Sequence, residues 1–353
     1  MALDVFGTAY LNRVIDKTED AISPLLDRFF PEVEVSNTEK IFFDTKGRDR
    51  RLSPFVAPTV EGKIVSRRGF KTDSFQPAYI KDKSVFEPTE SFKRRAGEAL
   101  TGTMTPAQRL SLAVANEVAE KKNRLIRRLE TMAAEVLRTG KLVISGTGFE
   151  TMTVDFLRNV NHTIALAPGS KWADAGVSPW ADLEAWMETV LDNSGKAITD
   201  ITMDALAYKA LRNDATFIAA LDNRREGSGS SAKLLSVPAL GLVHKGSADG
   251  VEIWVYSGKY DDPTTGAATP YVPANTVIGA SSAIEGVRHF GAIKDIKAIE
   301  GSASGVQSSG LAAREMFLKS WTEEDPSVRY LMGQSAPLLV PYYVDASFCA
   351  TVG

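Results

Sequence analysis

A chain of 353 residues, 44% hydrophobic and 24% charged, has the composition of a globular protein with room for one large or two ordinary domains and a real core. Its formal net charge of −3 excludes a nucleic-acid condenser and an acidic-tail protein. One cysteine, Cys349, and three histidines, His162, His244 and His289, exclude an intramolecular disulfide and a Cys/His zinc cluster, so stability must come from packing, which suits a reducing cytoplasm.

The first residues, MALDVFGTAYLNRVIDKTED, meet an acid at Asp4 and hold no uninterrupted apolar run, so they do not read as a signal peptide. No window reaches the apolar length of a membrane span, and the protein is expected to be soluble when made. Residues 1–38 read as an arm. Leu11, Val14, Ile15, Ala21 and Ile22 suggest a helical piece, Pro24 interrupts it, and Leu25, Leu26, Phe29 and Phe30 make an apolar knot before Pro31. The knot needs cover, either from its own chain or from another subunit, which makes Phe29 and Phe30 candidate intersubunit contacts.

From residue 38 to about 96 the pattern changes to short strands at 41–44, 60–67 and 75–80, punctuated by Gly47, Pro54, Pro58, Gly62, Gly69 and Pro77. The middle is basic, with Lys63, Arg67, Arg68 and Lys71 as further contact candidates, and large aliphatics are few. So little core material is marginal alone, and the segment reads as an extended hairpin that becomes stable against neighbours.

Residues 105–140, TPAQRLSLAVANEVAEKKNRLIRRLETMAAEVLRTG, carry their own start and stop signals. Thr105 is the N-cap, Pro106 takes the first helical position, Gln108 completes a capping box, and Gly140 closes the end in a left-handed turn. At 1.5 Å per residue the helix is a rod of about 50 Å. Leu110, Val114, Val118, Leu125, Leu129, Met132 and Val136 make one stripe. Lys121 and Arg128 stand where a coiled-coil seam needs apolar residues, so a helix lying across a sheet is expected instead of a zipper. The cations Lys121, Lys122, Arg124, Arg127 and Arg128 are interleaved with Glu117, Glu120, Glu130 and Glu135, the pattern of a solvated or intersubunit ion-pair face and not of a DNA-binding patch.

Residues 141–155, KLVISGTGFETMTVD, alternate like a hairpin around Gly146 and Gly148. A strand follows this GxG where a dinucleotide loop needs a third glycine and a helix, so it reads as a turn. Next come an amphipathic helix at 179–193 ending before Gly195, a buried strand at 198–202, and a second helix capped by Asp204 and running through Leu211. A flexible loop is expected at 227–231, GSGSS, then strands at 240–244, 251–256 and 276–279. Between the last two, residues 258–273, GKYDDPTTGAATPYVP, form a turn-rich excursion suited to a contact loop, with Tyr260, Asp261 and Asp262 as contact candidates. Two adjacent carboxylates before a proline read as a turn and not as metal ligands. A Ser/Gly/Ala-rich bridge at 301–310 leads to strand-like 314–321 and 330–344, where Pro337 and Pro341 put the last strand at an edge or bend.

A nucleophile needs a base within reach and a third group to orient it. No histidine sits in such a motif and no GxSxG elbow exists, so no catalytic, cofactor-binding or metal residue is assigned. The enzymatic rival is a two-domain α/β protein using Asp204 or Asp261 as acid/base.

TEKIFFD (38–44), SPFVAPTVEGKIVSRRG (53–69), SFQPAYIKDK (74–83), RLETMAAEVLRTGKLVISG (128–146), VDFLRN (154–159), VYSGKY (255–260) and QSAPLL (334–339) resemble, in chain order, the lambda-type major capsid proteins of tailed bacteriophages, the major capsid protein E family. The likeness runs from about residue 23 to 344, and its collinearity carries it. It implies an α+β chain with the Hong Kong 97-type phage capsid fold. The parts would be an N-terminal arm at 1–38, an extended β-hairpin loop at 39–95, and a peripheral domain at 96–178 with a long spine helix at 105–139. An axial domain would follow at 179–295, and peripheral strands would return at 296–353. The resemblance further implies a structural protein that assembles as hexamers and pentamers into an icosahedral head shell around double-stranded DNA. Its partners would be itself, scaffolding, protease and portal proteins, in some relatives a decoration protein, and non-specifically the packaged DNA, with no membrane and no cofactor. The virion would be its destination and the host cytoplasm its place before assembly. A tail-tube or decoration protein is the nearest alternative, and should lack so long a helix.

Overall fold

The computed structural model describes residues 7–18, 21–45, 52–53, 55–59, 61–62, 71–77, 79–94, 98, 104–146, 148–220, 241–263, 265–303 and 313–353. The expected strand at 60–67 falls almost wholly outside them, and the loop at 227–231 wholly so. In chain order the described helices are α1 (Thr8–Lys17), α2 (Pro24–Phe29), α3 (Pro88–Phe92), α4 (Pro106–Thr139), α5 (Pro179–Ser194), α6 (Ala205–Arg212), α7 (Ala215–Ala220) and α8 (Ile296–Ala303). The strands before α5 are β1 (Glu32–Val35), β2 (Ile41–Thr45), β3 (Lys71–Phe75), β4 (Ile80–Phe86), β5 (Lys141–Gly146), β6 (Phe149–Asp155) and β7 (Thr163–Ala165). Those after it are β8 (Asp200–Met203), β9 (Leu242–Ala248), β10 (Val251–Tyr256), β11 (Lys259–Asp261), β12 (Ala268–Pro270), β13 (Thr276–Ala280), β14 (Gly286–Phe290), β15 (Phe317–Glu323), β16 (Val328–Ser335), β17 (Pro337–Pro341) and β18 (Ser347–Thr351).

Two compact units result, one from Met1–Ile41, Gln76–Ala133 and Val287–Leu339, the other from Phe42–Phe75, Ala134–Gly286 and Val340–Gly353.

In the first unit α4 starts as its sequence dictates. Thr105 N donates to Gln108 Oε1 at 2.8 Å and Gln108 N to Thr105 Oγ1 at 3.3 Å, so two orphan donors are satisfied reciprocally. Val114, Val118, Leu125, Leu129 and Met132 are buried, as the stripe requires. The helix lies against the antiparallel sheet β15-β16-β4, where Ser84 on β4 donates to Glu117 Oε1 at 2.6 Å. The expected solvated or intersubunit cation face needs correction at two residues. Lys121 is 1% exposed, with its ammonium 3.1 Å from Asp82 Oδ1 and 3.8 Å from Glu117 Oε1. Lys122 donates to the carbonyls of Ile15 and Thr18 at the end of α1. Each long stem lies along apolar surface while its head finds an acceptor in the same chain. Arg124, Arg127 and Arg128 are exposed.

The arm is held by borrowed hydrogen bonds. Asn12 on α1 donates to Leu318 O at 2.9 Å and accepts from Leu318 N at 3.0 Å, which mimics a strand partner for β15. Leu25 and Leu26, at the start of α2, donate their N–H groups to the buried Glu130 carboxylate at 3.1 and 2.9 Å. The negative charge thus meets the positive end of a helix. β1 pairs in parallel with β14, with Glu32 opposite Val287. The span expected as one strand at 330–344 divides at Ala336: β16 belongs to the β15-β16-β4 sheet, and β17 leaves it to edge the β1-β14-β17 sheet. The strand expected at 75–80 is likewise two strands, β3 ending at Phe75 and β4 starting at Ile80, because Pro77 has no N–H to give a ladder. The expected bridge begins late, since residues 301–303 close α8.

The second unit is built on a mixed six-stranded sheet in the order β7-β18-β13-β8-β10-β9. β8 is buried along its whole length. Trp180, Leu183 and Val190 of α5, Leu211 of α6 and Phe217 of α7 share a core with Ile201, Met203, Ile253, Val255 and Phe348 of the sheet. Each such side chain contributes about 1.5–3 kcal/mol when fully buried. Gly279 leaves room for this packing, since a Cβ there would stand 2.0 Å from Phe348 Cε1. α5 has Pro179 in its first turn and ends on Gly195 at φ 72°. Asp204 caps α6, its oxygens accepting from Leu206 N at 2.9 Å and Ala207 N at 3.1 Å. β5–β6 and β11–β12 are antiparallel hairpins, and β2 pairs with β3.

Candidate assembly surfaces

The groups that carry enzyme chemistry are occupied with structure. His162 is fully buried, its Nε2 3.1 Å from Asn193 Nδ2, and burial holds its pKa below the ordinary histidine value. Burial lowers the pKa of His289 on β14 in the same way, against the pull of Glu34 3.4 Å away. His244 on β9 bonds Glu252 on β10 and lies 4.7 Å from the Trp254 ring. Burial pushes the Cys349 thiol up to about 11, which leaves it un-ionised near neutral pH. Both oxygens of Asp204 serve the α6 cap, and Asp261 is an exposed residue at the end of β11.

The residues marked by sequence as contacts fall in three places. Phe29 and Phe30 are 1% and 0% exposed, so the chain itself supplies the cover for the apolar knot. Lys63, Arg67 and Arg68 lie outside the described residues, and Lys71 opens β3. Tyr260, Asp261 and Asp262 come together at the β11–β12 hairpin. Tyr271 stacks on Tyr256 at 5.5 Å and meets Tyr260 at 5.2 Å, so an aromatic base holds the hairpin. At its tip Asp262 Oδ1 accepts from Thr265 N at 3.1 Å and Asp262 O from Gly266 N at 2.7 Å, the turn expected there.

Several exposed apolar side chains were not marked by sequence. Phe55 and Leu52, in the segment poor in core material, are 106% and 89% exposed. Val160 is 82% exposed beside the buried His162. The signal for Phe55 was present in SPFVAP, where a large aromatic stands between two prolines that forbid it a central strand. Val160 had no such signal.

The first unit carries two shallow hollows. One of about 380 Å³ is floored by Leu125, Ile126, Leu129 and Met316, and its rim charges are paired, Arg288 with Asp27 at 2.7 Å and Arg314 with Asp16 at 3.2 Å. The other, about 280 Å³, lies among Phe86, Pro88, Phe92, Pro106, Leu110 and Val328 and is mostly apolar. Neither brings a base to a nucleophile. Broad exposed faces are the arrangement on offer, and they suit repeated contacts with other copies.

The profile of the phage major capsid protein E family matches residues 7–352. The chain belongs to that family. It is 28% identical over 322 residues to the major capsid protein of Enterobacteria phage P21, covering 89% of this chain and 90% of that one. To the major capsid protein of Escherichia phage lambda it is 28% identical over 319 residues, covering 88% and 89%. The crystal structure of the putative capsid protein of a prophage of E. coli CFT073 superposes with a TM-score of 0.73 at 25% identity, covering 98% of this chain and 97% of that one. The fold is therefore the α+β, Hong Kong 97-type fold of phage capsids. As a member of the capsid protein E family the chain is a structural component of the phage head shell, built by self-assembly, and not an enzyme. No helix among the described residues is long and apolar enough to cross a membrane.

Proposed function

We propose that this chain forms hexamers and pentamers that close into an icosahedral head around double-stranded DNA. The observation that carries the reading is the family match across residues 7–352, which covers the arm, the long helix and the returning strands together. In the proposed division residues 1–38 are the arm and 39–95 the extended loop that reaches a neighbour. Residues 96–178 and 296–353 form the peripheral domain around the spine helix, and 179–295 the axial domain, with the β11–β12 hairpin facing the symmetry axis. The exposed Leu52 and Phe55 support a loop that finds its cover on another copy.

Scaffolding and portal proteins, and in some particles a decoration protein, are the proposed partners, with assembly in the host cytoplasm. A formal net charge of −3 favours a weak, non-specific relation to packaged DNA, because a strongly basic lining would hold the duplex through many phosphate contacts. Co-expression of the chain with its scaffolding partner, followed by electron microscopy, tests the reading. Five- and six-fold rings and closed shells are expected, and free monomers alone would refute it.

A further inference from the structure

α5 and α6 pack on different strands of the six-stranded sheet and touch one another along one side. α5 packs on β18 and the 160–162 and 344–346 segments, α6 on β10. In the sheet order β18 and β10 are separated by β13 and β8, a span of about 14 Å at the usual strand spacing. The outward faces of the two helices carry opposite charge. On α5, Glu184, Glu188 and Asp192 follow one another at i, i+4 and i+8 around Leu191, which is 46% exposed. On α6, Lys209 and Arg212 flank Leu206, which is 54% exposed, and Lys245 on the neighbouring β9 extends the basic patch, its ammonium 5.5 Å from the Tyr208 ring.

The acidic face is not explained by its own helix, whereas Lys209 and Arg212 lie in the last turn of α6, where they also meet the negative end of its dipole. Like charges at i,i+4 oppose helix formation, and α5 repeats them. α5 also has no basic residue in its last turn to meet the negative end of its dipole. Among the described residues Glu184, Glu188, Lys209 and Arg212 have no ion-pair partner. Each face has one exposed leucine beside charges of one sign, so each has the composition of half a contact whose other half is the oppositely charged face. Glu184 and Glu188 make no ion pair with Lys209 or Arg212 within the chain, and two different complementary faces join copies head to tail, the heterologous contact that generates a ring.

We propose that the acidic face of α5 on one copy docks on the basic face of α6 on a second copy. This rests on the capsomer reading and names one contact inside the ring. The acids of α5 face Lys209 and Arg212 of the next copy, with Leu191 and Leu206 excluding water between them. Such a contact is weak singly and salt-sensitive, so misplaced copies can leave and rejoin before a shell closes.

The test uses the full chain in three forms: Glu184→Lys with Glu188→Lys, Lys209→Glu with Arg212→Glu, and all four changes together. All four positions are exposed, and circular dichroism and urea midpoints confirm folding. In about 0.1 M salt, where the Debye length is about 10 Å, each pair of reversals is expected to lower the fraction sedimenting as rings or shells about tenfold. The fourfold variant restores complementarity and recovers the wild-type fraction to within about twofold. Paired reversals that assemble like wild type, or a fourfold variant no better than either, would overturn the contact alone. A wild-type chain that stays monomeric with its scaffold overturns the capsomer reading and this contact with it.

Discussion

Gly140 and Arg158 occupy one space: a Cβ on Gly140 would stand 2.6 Å from Arg158 Cβ, and Gly140 itself has φ +68°. The arrangement lets the Arg158 guanidinium reach the end of α4, donating to Leu137 O and Arg138 O, each at 2.6 Å, and to Thr163 Oγ1 at 2.7 Å. A buried cation thus satisfies carbonyls that the helix itself leaves open. Gly140→Ala would bring both a left-handed backbone and a clash, and should lower stability by about 2 kcal/mol or more. Urea unfolding measures it, and a loss under about 0.5 kcal/mol would mean that Arg158 yields easily.

Glu130 joins α4 to the arm through two backbone donors that no water can reach. Glu130→Ala leaves both unpaired and should cost about 2–4 kcal/mol, whereas Glu130→Gln, which still offers one acceptor oxygen, should cost less. Limited proteolysis should show earlier cleavage around α2 in the alanine variant. Equal stability of the two variants would argue that the arm is held by its apolar contacts alone.

How much of this was open to sequence reading depended on the distance between partners. The limits of α4 were legible because Thr105, Gln108 and Gly140 act within one turn of the helix ends. The αβα unit was legible for the same reason, through Gly195 and Asp204. The burial of Lys121 was not, since its partner Asp82 is far away in the chain and a lysine that interrupts an apolar stripe reads as solvated. The cover for Phe29 and Phe30 stayed open because it comes from distant segments. α8 escaped notice because Gly301 and Ser302 resemble linker, and the division at Ala336 because strand-like residues stand on both sides of it. Of the candidate surfaces, the hairpin with Tyr260 and Asp262 could be read locally, while the charged faces of α5 and α6 acquire meaning only once the fold brings the two helices together.

Lys121 gives a further prediction. Lys121→Met keeps the stem and removes the charge, leaving Arg124, 3.5 Å from Asp82 and 3.1 Å from Glu117, as the cation between the two carboxylates. Both carboxylates are partly solvated, so the cost should be about 2 kcal/mol, below that of breaking a wholly buried pair. Adding Asp82→Asn should recover part of it in a double-mutant cycle, and strict additivity would show that the two side chains are not coupled.

Stability should also depend on pH through His162 and His289. Burial lowers both from the ordinary value of 6.5, so the unfolded chain binds protons that the folded chain refuses. Their contribution is therefore complete above pH 6.5 and is lost as pH falls from there through the lowered folded values. Urea midpoints at pH 8, 7, 6 and 5 should fall on the acid side, and His162→Gln with His289→Gln should flatten that slope. An unchanged slope would assign the acid sensitivity to carboxylates.

That this chain is a self-assembling shell subunit is tested most directly by electron microscopy and sedimentation of the purified chain, with and without its scaffolding partner. Five- and six-fold rings that close into uniform shells are the predicted result. A monodisperse monomer at every concentration, with the scaffold present, would contradict it.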